Sequence, residues 1–156
     1  MNLKNKIKNI FFIKYRIWKY NFLSECKNVT GKPNLYIPLL LRGEGKIQFG
    51  KNFQNGVILA HHYYSSYNYI LSRFKNSEVI IGNNVVIANG ATIQAENKIV
   101  IEDDVMIGIN CMLVDSDGHD LNPDKRNDGI PKSGQITIKK NVIIYYNSTV
   151  FKGVTI

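Results

Sequence analysis

Four residues between Val114 and Gly134 concentrate the chemistry of this chain: Asp115, Asp117, His119 and Asp120, in the stretch DSDGHD. A histidine near neutral pH is mostly uncharged and can take a proton from a hydroxyl as that hydroxyl attacks. It works best when its second ring nitrogen is held by a carboxylate or a backbone carbonyl. Asp115 or Asp117 has the right chemistry for that partner, or for holding substrate hydroxyls, and the sequence does not apportion the two roles. A simpler reading is also open: a solvent-exposed loop histidine among turn-forming acids beside a glycine.

The residues on either side show what must position this loop. From Ile81, every sixth residue is aliphatic: Ile87 and Ile93, then, after two extra residues, Ile101, Ile107 and Leu113. Beyond the loop the beat returns at Ile138, Ile144, Val150 and Ile156. The fifth place of each hexad holds Val85, Ala91, Asn97, Val105, Cys111, Asp117, Val142, Ser148 and Val154, seven of them small. A helix repeats near 3.6 residues and a strand at 2, so neither gives this period. A chain wound into a three-sided coil does. Each side is one short strand, the aliphatic residue points into the prism, and the small residue fits at a corner. Such a solenoid is held by the stacking of neighbouring coils. Cys111 occupies a small slot, which makes it core filler rather than a nucleophile.

Residues 1–28 read as a separate unit, a basic amphipathic helix. Ile7, Ile10, Ile13 or Tyr15, Ile17 and Leu23 fall at roughly helical spacing. Lys4, Lys6, Lys8, Lys14, Arg16 and Lys19 all precede the first acid, Glu25. The helix is expected to pack on the main body or a neighbouring subunit, or to lie on anionic lipid at the inner membrane face; the two are compatible. The whole chain carries a formal charge of +8. Because the excess sits mostly in this segment, no nucleic-acid surface over the whole domain is expected. Stretch 61–75 is aromatic and irregular and reads as an imperfect coil or a loop. Cys26 and Cys111 are in no metal or redox spacing. With no secretory leader and no long apolar run, they suggest a reduced, cytoplasmic chain.

The hexads IIGNNVVIANGATI, IVIEDDVMIGINCMLV and ITIKKNVIIYYNSTVFKGVTI resemble the hexapeptide-repeat acyltransferases. DSDGHDL followed by GQITIKKNV resembles the maltose and galactoside O-acetyltransferase branch and the related O-acetyltransferases of surface-polysaccharide clusters. The resemblance covers about residues 30–156. It implies an all-β solenoid, a left-handed parallel β-helix over 29–156, with an extruded catalytic loop at about 114–135. It also implies a homotrimer with acetyl-coenzyme A in each groove between subunits and a sugar or glycan precursor as acceptor, with no metal.

By the same resemblance His119 is the general base, with Asp117 and Asp115 as its partners in catalysis. Asn89 and Arg126 fall to the acceptor side, although Asn89 reads nearly as well as a turn residue before Gly90. Ile144 and Tyr145 supply the groove wall and the oxyanion N–H. Lys139, Lys140 and Lys152 are candidate cofactor phosphate contacts. Two departures stand out. Similar enzymes read Trp-Ile-Gly where this chain has Ile143, Ile144 and Tyr145, and they continue past the point where this chain stops. A truncated or degenerate, non-catalytic trimeric β-helix is therefore the alternative reading. A zinc hydratase on the same scaffold would need three converging histidines; the chain has only His61, His62 and His119, and their spacing does not fit that branch.

Overall fold

The computed structural model describes residues 3–127 and 131–156. Residues 1–2 of the expected helix and 128–130 of the expected loop lie outside the described part. Five coils follow one another, each contributing one strand to each of three sheets. The first holds β1 (Asn28–Thr30), β2 (Asn34–Leu35) and β3 (Leu39–Arg42). The second holds β4 (Lys46–Phe49), β5 (Gln54–Asn55) and β6 (Asn68–Ser72). The third holds β7 (Glu78–Ile81), β8 (Val86–Ile87) and β9 (Thr92–Ala95). The fourth holds β10 (Lys98–Ile101), β11 (Met106–Ile107) and β12 (Met112–Val114). The fifth holds β13 (Ile136–Ile138), β14 (Ile143–Ile144) and β15 (Thr149–Phe151). The sheets run β1-β4-β7-β10-β13, β2-β5-β8-β11-β14 and β3-β6-β9-β12-β15, and every pairing between these strands is parallel. This is a three-sided parallel β-helix.

The six-residue beat is the register of those sheets. Phe49, Ile81, Ile101 and Ile138 stack in the first sheet. Ile87, Ile107 and Ile144 stack in the second, and Ile70, Ile93, Leu113 and Val150 in the third. All are buried and form one core. Each such side chain contributes about 1.5–3 kcal/mol through burial. The small slots Val85, Ala91, Val105 and Cys111 are buried with them. Burial pushes the Cys111 thiol upward, as suits a packed thiol.

The corners need backbone that turns the other way. Asn52, Asn84, Asp104 and Asn141 occupy one corner of successive coils, all with positive φ. Asn and Asp tolerate that region better than other side chains with a Cβ. They also form a ladder: Asn52 Nδ2 donates to Asn84 Oδ1 at 3.1 Å, and Asn84 Nδ2 donates to Asp104 Oδ1 at 3.0 Å.

Two coils precede the region where the period is visible. Asn55 stands in the second sheet opposite Ile87, where the beat calls for an aliphatic residue. It is buried and satisfied, donating to the Ile37 carbonyl at 2.9 Å and accepting from Asn68 Nδ2 at 2.9 Å. The aromatic stretch divides at this point: 57–67 is a loop between β5 and β6, and β6 rejoins the third sheet.

The N-terminal segment is helical from Leu3 to Phe22: α1 (Leu3–Asn9), one π turn (Ile10–Lys14) and α2 (Tyr15–Phe22). The expected aliphatic stripe does not face one way. Ile13 is buried and Ile17 partly so, whereas Ile7, Ile10 and Leu23 are exposed. No helix among the described residues is long and apolar enough to cross a membrane.

Candidate active site

The excursion 115–135 leaves at the end of β12 and returns at β13. Its neck is a short antiparallel contact between Ser116 and Ser133. The Asp117 N–H donates to the Lys132 carbonyl at 3.0 Å, and the Gly134 N–H donates to the Asp115 carbonyl at 2.8 Å. Within the loop, Asn122 caps a 3₁₀ turn over Pro123–Lys125.

Asp115 is 0% exposed. Its Oδ1 accepts from the Glu96 N–H at 2.7 Å and its Oδ2 from the Asn97 N–H at 2.9 Å. Both oxygens therefore hold the corner of the coil below. Asp115 is an anchor for the loop's root, with both carboxylate oxygens engaged inside the chain. Burial raises its carboxyl above the ordinary range, against the pull of those N–H donors. Ser116 extends the support: its Oγ donates to Glu96 Oε2 at 2.8 Å and accepts from the Gly118 N–H at 3.1 Å, while Glu96 Oε1 binds Arg73 at 2.7 Å. Sequence reasoning passed over Ser116, Glu96 and Arg73, because they meet only when coils stack.

Asp117 is half-buried and divided between two environments. Its Oδ1 pairs with Lys152 from the end of the fifth coil. Its Oδ2 is buried without a hydrogen-bond partner among the described residues. An unsatisfied buried carboxylate oxygen is costly and calls for a donor. Asp117 as a residue lines a small cavity, about 200 Å³, together with Asp120, Leu121, Asn122 and Lys132. His119, two residues on, is exposed. Arg126 follows the 3₁₀ turn and is also exposed.

Asn89, expected on the acceptor side, is engaged within the chain. It is 0% exposed and grips the other excursion, 57–67. Its Oδ1 accepts from the Val57 N–H at 2.8 Å, and its Nδ2 donates to the carbonyls of Val57 at 3.1 Å and His61 at 2.8 Å. No polar atom of its side chain is left for a sugar.

The expected cofactor residues are also engaged. Lys139 Nζ lies 2.9 Å from Glu102 Oε1, and Lys140 Nζ lies 3.5 Å from Asp104 Oδ2. The Lys139 hydrogen bond holds the Glu102 carboxyl below its ordinary range. Lys152 is committed to Asp117. Ile144 is buried in the core, and Tyr145 projects outward, 73% exposed. The Tyr145 carbonyl accepts from Cys111 Sγ at 2.9 Å and Ser148 Oγ at 2.8 Å. The coil beneath must be bare there. A Cβ on Gly108 would lie 2.8 Å from the Tyr146 ring and 2.9 Å from the Tyr145 carbonyl carbon.

Tyr146 was not anticipated. With Asn147, Ile109 and Asn110 it forms one side of a cleft of about 370 Å³, and His61 and His62 from the 57–67 loop line the other. His61 and His62 sit between β5 and β6, and His119 sits after β12. Among the described residues no group of three or more His, Cys, Asp or Glu side chains is arranged to hold a metal ion. No family profile, no characterised protein and no solved structure matches the chain.

Proposed function

We propose that the chain is an acetyl-coenzyme A-dependent O-acetyltransferase acting on a hydroxyl of a sugar or surface-polysaccharide precursor, with His119 as general base and homotrimer grooves as its sites. One observation carries the reading. The longer of the two excursions from the coils carries an exposed histidine two residues from a carboxylate whose buried oxygen has no donor among the described residues. In this reading Asp117 Oδ2 takes the ring N–H of His119 or an acceptor hydroxyl, and Lys152 holds the other oxygen in place. His119 accepts the proton as the hydroxyl oxygen bonds to the acetyl carbon. The carbon–sulfur bond then breaks, and the imidazolium returns the proton to the departing thiolate. Pre-aimed backbone N–H groups around Ile144 and Tyr145 would stabilise the intermediate oxyanion.

The test is acetyl transfer by the wild-type chain and by His119→Ala over a panel of sugar acceptors, read as free thiol released. The expected result is a loss of about 10²–10⁴-fold with the oligomer unchanged. Turnover at the wild-type level would remove His119 from the mechanism. A second reading, a non-catalytic trimeric β-helix, is favoured by Lys139 and Lys152 being already paired and by the Tyr145 ring on the groove wall. Failure of the wild-type chain to bind acetyl-coenzyme A in a calorimetric titration would decide for it.

A further inference from the structure

The N-terminal helix has two faces, and only one is used by the body. On the inner face Ile13 is buried. Arg16 donates to the carbonyls of Ser65 at 2.9 Å and Ser66 at 2.7 Å. The Tyr20 ring lies 4.6 Å from that of Tyr67, and Ser24 Oγ accepts from the Leu41 N–H at 3.0 Å. These contacts fix the rotation of the helix on the solenoid.

The opposite face carries Leu3, Ile7, Phe11, Tyr15, Trp18 and Phe22, all exposed. In an unbroken α-helix a spacing of four drifts by about 40° per step, so a stripe this long would wind away. The π turn at Ile10–Lys14 corrects the drift. It inserts one residue and sets the downstream helix back by about 100°. Tyr15, Trp18 and Phe22 then return to the side of Leu3 and Ile7. The rings form a line, with Tyr15 to Trp18 at 5.9 Å and Trp18 to Phe22 at 6.1 Å. Lys14 and Lys19 lie about 70° to either side of that line.

We propose that this face docks on the surface of a bilayer containing anionic lipid, with the aromatic line among the acyl-chain ends and the flanking lysines at the headgroups. Charge selects this occupant over a second copy. Of the twenty Lys and Arg residues, six precede residue 25 with no acid among them; the rest of the chain is near balance against its twelve acids. Two such faces would bring like charges together, and no other region offers a matching acidic excess. A helix of this kind lies in the interface, where aromatic rings are favoured and each basic residue adds attraction. The inference does not depend on the transferase reading. It places Arg16 and the 57–67 loop on the side of the helix away from the lipid.

Trp18 is the chain's single tryptophan, so its emission reports on this face alone. The full chain should sediment with vesicles of phosphatidylcholine mixed with phosphatidylglycerol, with a blue-shifted Trp18 emission, and far less with phosphatidylcholine alone. Lys14→Gln and Lys19→Gln should each weaken the binding about five-fold, and the double change Phe11→Ser with Phe22→Ser should weaken it more than ten-fold. These side chains are exposed, so the circular dichroism of each variant should match that of the wild type. Absence of wild-type sedimentation would overturn the proposal. So would sedimentation without an emission shift. Loss of the oligomer in the Phe11→Ser and Phe22→Ser variant, with no vesicle binding by the wild type, would assign the face to contacts between copies instead.

Discussion

The excursion 57–67 leaves the prism between β5 and β6, and the excursion 115–135 leaves between β12 and β13. The first is gripped along its length. Asn89 binds Val57 and His61 from inside the solenoid, and Arg16 binds Ser65 and Ser66 from outside. The second is gripped at its root, by Asp115, Ser116 and Gly134. Just beyond the neck it exposes His119, and at the neck Asp117 keeps a buried carboxylate oxygen without a donor among the described residues. A loop fastened throughout is suited to being part of a wall. A loop fastened at the neck leaves its polar groups for something else. Asn89 and Asp115 show why residue type misleads here: each is polar, each sits beside an excursion, and each is completely buried.

The largest effect should come from removing the inner grip on the first loop. Asn89→Ala leaves the partly buried Val57 N–H and the facing carbonyls without the Asn89 partner. It should lower stability by about 3 kcal/mol, or roughly 6–12 °C in Tm for a chain of this size. Limited proteolysis should then cut within 57–67, where the wild type resists. A change in Tm below about 1 °C would mean that the loop is held chiefly from outside, and the contrast between the two loops would weaken.

Arg16→Gln removes the outer grip and should cost about 1 kcal/mol, since its carbonyl partners remain open to water. Asn89 and Arg16 hold one loop, so the double variant should lose less than the two single losses added together. Strict additivity in chemical denaturation would show that the two grips act on independent segments.

The same contrast explains how much was legible in the sequence. The third, fourth and fifth coils announce themselves through Ile81 to Val150, because an aliphatic residue at every sixth place is what three stacked sheets require. The first two coils are silent because Asn55 stands in an aliphatic place and is satisfied by Asn68, a partner visible only after folding. The corner ladder of Asn52, Asn84 and Asp104 is spread over separate coils and has no local motif. The loop bearing His119 is legible because it interrupts a strict period. The duties of Asp115, Asn89, Lys139 and Lys152 are not, because each is decided by a neighbour from another coil. The aromatic line on the helix was hidden by the π turn, since a constant period of 3.6 does not place Leu3 and Phe22 on one face.

The last expected effect is a trend with pH, and it sharpens the account of the second loop's root. Unfolded Asp115 ionises near 3.8, and burial raises its value in the fold. Between the two, the folded chain holds a proton that the unfolded chain has released. Stability therefore falls as pH rises through that window, by up to about 1.4 kcal/mol per pH unit. Asp115→Asn cannot ionise, and its carboxamide still accepts one of the two N–H bonds. Urea denaturation of both chains from below pH 3.8 toward neutrality should show the variant gaining on the wild type as pH rises. The opposite trend, with the wild type gaining, would mean that the Glu96 and Asn97 N–H groups outweigh burial. The root of the loop would then be held by a true carboxylate, a stronger anchor than its surroundings favour.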